Sequence, residues 1–120
     1  MILALREQVR IFLSLAPIDM RKSIDSLSIE IVDTLKNNPQ TGDVYVFRNA
    51  SCDKVKLLYW DRNGFILHYK RLERHRFRFP KNVSTQQPLT LSHAQLNWML
   101  AGLDFYLMNE FSELNFSEYF

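Results

Sequence analysis

The chain has 120 residues, 47% of them hydrophobic, and 15 Lys and Arg against 13 Asp and Glu, a formal net charge of +2. That length and apolar content suit one domain with its own core and exclude a low-complexity or disordered chain. Cys52 is the single cysteine, which excludes an internal disulfide and any structural zinc site built on paired cysteines.

In chain order, Val9 to Leu15 alternates apolar residues with Arg10 and Ser14 and predicts a strand. Met20, Ile24, Leu27, Ile31 and Leu35 form a helical stripe, with Asp19 as the expected N-cap and Asn37, Asn38 and Pro39 as the stop. Val44 to Phe47, Val55 to Trp60 and Phe65 to Leu72 are short, aromatic and β-branched, and predict three antiparallel strands. Asp61-Arg62-Asn63-Gly64 between the last two predicts a hairpin turn in which Asn and Gly take up positive φ. Arg76 to Phe79 is expected as a short edge strand, and residues 82–88 as a polar connector. Ser92 and Gln95 form a capping box, with Leu91 placed to staple onto Leu96, so a second helix starts near His93. The expected fold is α+β: an antiparallel sheet of about four to five strands with two helices packed on it. Residues 1–105 form the domain, and residues 106–120 an acidic, aromatic extension.

Charge is distributed unevenly. From Lys54 to Lys81 nine Lys and Arg face only Asp61 and Glu73, a local charge of +7, whereas residues 82–120 hold four acids and no Lys or Arg. Lys54, Lys56, Arg62, Lys70, Arg71, Arg74, Arg76 and Arg78 are therefore the candidates for contact with a polyanion, because each phosphate neutralised releases counterions and adds affinity without reading bases. Arg74, Arg76 and Arg78 fall on one side of an extended segment, with His75, Phe77 and Phe79 on the other, while Lys70 points away from Arg71. The competing reading is a solvated charged face. Arg21 and Lys22 are a second candidate patch, since cations in a helix's first turn oppose its dipole.

Other chemistry is less favoured by the residues. Tyr45, Phe47, Tyr59, Trp60, Phe65 and Tyr69 could stack on bases, but strand alternation makes core the simpler assignment. Asp19, Asp25, Asp61, Glu73 and His68 are the available ligands for a metal-dependent nuclease, yet each has a structural explanation and no ligand cluster emerges from the spacing. No catalytic residue, metal or cofactor is expected. In the tail, Leu103, Leu107, Phe111 and Leu114 recur at helical spacing, and Phe111, Phe116, Tyr119 and Phe120 are candidates for contact with a partner or a second copy. The first apolar run is interrupted by Arg6, Glu7 and Arg10, and no later run reaches bilayer length, so a cytoplasmic protein without a leader or membrane span is expected.

Three segments in order resemble the TnpB accessory proteins, also called Orf-two-like, of the insertion sequence sixty-six family of bacterial elements. They are DMRKSIDSL (residues 19–27), GDVYVF with DKVKLLYWDRNGFILHYKRLERHRFRFP (within residues 42–80), and LTLSHAQLNWMLAGLDF (residues 89–105). The resemblance implies a non-catalytic accessory protein for DNA transposition that works beside a separate, larger transposase. Its implied partners are DNA, the transposase or other element-encoded proteins. The alternatives are a module that binds only proteins of the transposition complex and, from another class, a small metal-dependent nuclease. Ser23, Ser26 and His75 stand where the family often has glycine, and Asn49-Ala50-Ser51-Cys52 replaces a more arginine-rich loop.

Overall fold

The apolar alternation resolves into one sheet with a helix on each face. The computed structural model describes residues 5–79 and 88–103. Its elements are β1 (Ile11–Leu13), α1 (Ile24–Asp33), β2 (Val44–Arg48), β3 (Lys54–Asp61), β4 (Gly64–Arg71), β5 (Leu89–Leu91) and α2 (His93–Leu100). The strand order is β4-β3-β2-β1-β5. β2, β3 and β4 form an antiparallel meander, and β5 pairs antiparallel with β1. β1 and β2 run parallel, Ile11 opposite Val44, because α1 carries the chain back between them. The α+β class therefore stands, with a mixed sheet in place of a wholly antiparallel one.

Period-two alternation sorts the strand residues into two core layers. Tyr45, Phe47 and Leu58 point to one face, where Leu27, Ile31 and Leu35 of the predicted stripe cover them. Ile11, Leu13, Val44, Val46, Val55 and Leu57 point to the other, under Leu96, Met99 and Leu100 of α2 and under Phe77. Leu57 is wholly buried at the centre of the second layer. Leu57→Ala is expected to cost about 2–5 kcal/mol, read as a lower urea midpoint at unchanged slope.

Four local expectations are corrected. α1 begins at Ile24 with Ser23 as its N-cap, and Ser26 Oγ accepts a bond from Ser23 N. Asp19 closes a separate turn before the helix, its carboxylate accepting from Arg21 N and its carbonyl from Lys22 N. Arg21 and Lys22 thus precede the helix and do not sit in its first turn. Arg76 to Phe79 joins no strand; His75, at φ +64°, breaks the alternation ahead of it. In the β3–β4 hairpin, Asp61 faces Gly64 as expected, but the positive φ falls on Arg62, at +53°. β5 has no signature in the sequence: three residues, Leu89–Leu91, carry too short a pattern. The α2 capping box is present, with Gln95 N donating to Ser92 Oγ at 3.0 Å and Ser92 N to Gln95 Oε1 at 2.9 Å. Residues 106–120, with Phe111, Phe116, Tyr119 and Phe120, lie outside the described residues, as do Leu107 and Leu114.

Candidate nucleic-acid interface

Chain topology brings the cations of distant segments to one end of the sheet. β2 ends and β3 begins there, and Arg71 at the end of β4 lies opposite Lys54. The loop after β1 returns to the same end, with Ile18 N donating to Arg48 O. The arginine-rich segment after β4 is held there by two backbone bonds, Leu72 N to Asp53 O at 2.8 Å and Phe77 N to Cys52 O at 2.7 Å. Arg21, Lys22, Lys54, Lys56, Lys70, Arg71, Arg74, Arg76 and Arg78 are therefore gathered. Arg62 is not: it sits in the hairpin at the far end of eight-residue β3, roughly 23 Å away at a strand's rise per residue.

Their individual environments differ sharply. Lys56 is buried; its Nζ donates to the carbonyls of Met20 and Lys22, each at 2.7 Å, and rests 5.2 Å from the centre of the Tyr69 ring. Lys70 Nζ donates to Leu100 O at 2.6 Å on the opposite face, securing the end of α2. Both amines are committed to backbone carbonyls, which corrects their expected place on an outer cationic surface. Arg21 pairs with Asp19, Lys22 with Glu30, Lys54 with Asp53 and Arg71 with Glu73, at 2.6–3.3 Å. The Arg21 and Arg71 pairs are exposed, and such pairs are worth at most about 1 kcal/mol, so a phosphate could displace either carboxylate at small cost.

Arg74, Arg76 and Arg78 are exposed and form no ion pair among the described residues. Phe77 between the last two is buried in the α2-side core, so alternation turns Arg76 and Arg78 outward together. Phe79 is half-buried and stacks 5.5 Å beneath the Arg48 guanidinium. Arg48, absent from the sequence-based candidates, is anchored by donating to Leu15 O and Asn49 O and touches this segment through the Phe79 ring. Its signal was position alone, a cation at the end of a buried strand.

The ion pairs also fix charge states. Hydrogen bonds from Arg21 hold the Asp19 carboxyl at about 2, below the ordinary 3.8, and the same contact raises Arg21. The Asn49 amide, then Lys54, lowers Asp53, and Glu73 raises Arg71. Because the folded-state pKa of Asp19 is depressed, its pairing is intact above pH 4 and is lost only as pH falls through about 2. A carboxyl-detected NMR titration should find the Asp19 midpoint near 2, and Arg21→Gln should move it upward; an unshifted Asp19 would refute the pairing.

The remaining candidates do not converge on a reaction centre. Asp19 and Glu73 are paired with arginines, Asp61 stands at the far hairpin, and His68 Nε2 contacts the Tyr59 hydroxyl at 3.1 Å. Among the described residues no three His, Cys, Asp or Glu side chains come close enough to hold a metal ion. Of the aromatics, Tyr45 and Phe47 are buried and Tyr59, Trp60 and Phe65 half-buried; Tyr69 is half exposed, beneath the Lys56 amine. A cavity of about 570 Å³ lies at the far end, beside Trp60, Arg62 and Asp43. There Asp43 is already satisfied by Arg10 and Thr41. Among the described residues no helix is long and apolar enough to cross a membrane.

Residues 9–110 match the family described as IS66 Orf2 like protein. Two relatives in Sinorhizobium fredii, the uncharacterized proteins y4jC and y4hO, are similar over most of their length. The first is 34% identical over 96 residues, 80% of each chain, and the second 35% identical over 98 residues, 82% of this chain and 84% of the relative. No solved structure matches.

Proposed function

The chain belongs to the IS66 Orf2-like family of transposition-associated proteins, and from that premise we propose that it is a non-catalytic, cytoplasmic accessory factor that holds element DNA by its phosphate backbone. The observation that carries the reading is that Arg74, Arg76 and Arg78 are all exposed and without acidic partners among the described residues, on a segment tied down by Phe77. Arg21 and Arg71 lie at the same end, each shared with an exposed carboxylate that phosphate can replace. No base-reading element enters a groove in this scheme, so binding is weakly sequence-dependent.

A second reading is favoured by the ion pairs themselves. Arg21 meets Asp19 through Nε and Nη2, and Arg71 meets Glu73 likewise, so guanidiniums at this end already take carboxylates in a forked geometry. An acidic stretch of the transposase would dock in the same way. Titrating labelled element-end DNA and random DNA, at two salt concentrations and with and without Mg²⁺, separates the possibilities. Strongly salt-dependent binding of both DNAs is the expected result. No binding at low salt refutes the DNA reading and leaves the protein-docking one, and Mg²⁺-dependent cleavage refutes the non-catalytic assignment.

A further inference from the structure

β4 closes one end of the sheet, and its outer side is open. It is eight residues long, whereas β5 at the other end has three. The bond from Leu72 N to Asp53 O points inward, and alternation along an antiparallel ladder then turns the N–H and C=O groups of Phe65, Leu67 and Tyr69 outward. Among the described residues no backbone bond reaches them. The usual protections of an edge are missing as well. β4 contains no proline, its register with β3 is unbroken by a bulge, and Lys70 is drawn off to Leu100 O.

We propose that β4 is a homodimer edge, at which a second copy of this chain adds its own β4 antiparallel about Leu67. The strand is self-complementary in that register. Leu67 meets Leu67, Phe65 meets Tyr69, Gly64 meets Lys70 and Asn63 meets Arg71, so no two cations oppose each other. Phe65 and Leu67 point to the α1 face, and so by alternation does Tyr69. Three large hydrophobic residues are exposed on that same layer: Tyr69 at 50%, Ile29 at 59% and Val32 at 50%. Pairing β4 with β4 sets the two α1 helices on one face of a ten-stranded sheet and brings the exposed Tyr69 ring against Phe65 of the second copy. An acidic partner strand would instead be drawn to Lys70 and Arg71, both at one end and both already engaged. The two cation-rich ends of such a dimer face opposite ways. The dimer itself does not depend on DNA binding.

Sedimentation of the full chain at micromolar concentrations is expected to give twice 14.3 kDa. Tyr69→Pro removes an outward N–H from an edge strand together with the ring beside the Lys56 amine, so it should give a monomer, less stable but with unchanged far-ultraviolet dichroism while folded. In the unmodified chain, the Phe65, Leu67 and Tyr69 amides should be protected from hydrogen exchange and lose that protection on dilution; this decides the matter even where the proline variant fails to fold. A chain that stays monomeric, a folded Tyr69→Pro that stays dimeric, or free exchange of those three amides in a dimer would each overturn the proposal.

Discussion

Replacing Arg74, Arg76 and Arg78 together by alanine should weaken DNA binding by roughly two orders of magnitude at physiological salt and flatten the dependence of log K on log salt by about 2.7. Both figures follow from three phosphate contacts, each releasing about 0.9 counterion on duplex DNA. The loss should be similar on element-end and random DNA, because backbone contacts carry no sequence information. It should shrink as salt is raised, since counterion release drives it. Stability should stay within about 0.5 kcal/mol, as the three side chains are exposed and no ion pair among the described residues depends on them. Arg62→Ala at the far hairpin supplies the contrast, with equal formal charge removed per site and a much smaller effect. A triple variant with an unchanged salt slope would show that these arginines do not meet phosphate.

Lys56→Met should act in the opposite sense, with a large loss of stability and little direct effect on DNA. The amine is buried and donates to two carbonyls of the segment that precedes α1, and its charge rests against Tyr69. Methionine fills most of the volume but leaves the Met20 and Lys22 carbonyls without their donor. Charged hydrogen bonds contribute about 1.5–3 kcal/mol each, so the expected cost is about 3 kcal/mol or more. In a domain of this size that lowers Tm by roughly 10–20 °C. Calorimetry on Lys56→Met and Arg76→Ala side by side makes the comparison direct: equal melting temperatures would mean that Lys56 is as dispensable as a surface cation.

Lys56 also shows where reading from residues reaches its limit. Between Val55 and Leu57 it looks like the outward member of an alternating strand, and alternation does place it on the face opposite theirs. That face is covered, by a loop 34 residues earlier whose carbonyls replace water around the amine. Periodicity states which residues share a side; it does not state what lies over that side. The same limit hid the parallel β1–β2 pairing and the short β5, both set by partners far away in the chain. Local signals fared better. The stripe of Leu27, Ile31 and Leu35, the Ser92–Gln95 capping box and the β3–β4 hairpin are carried by residues a turn or a strand apart. In the arginine segment, Arg76 and Arg78 lie outside and Phe77 inside, as alternation required, whereas His75 is exposed instead of sharing the inner side with Phe77.

The position of β1 bears on how the molecule comes together. It lies between β2 and β5, with Ile11 opposite Leu91, partners separated by most of the polypeptide. On the ribosome, β1 to β4 can assemble while the last third is still being made, leaving one flank of β1 unpaired until Leu89–Leu91 emerge. Closure of the sheet is thus a late, long-range event, and a nascent chain stalled before that point carries an open flank beside a core layer that α2 has yet to cover.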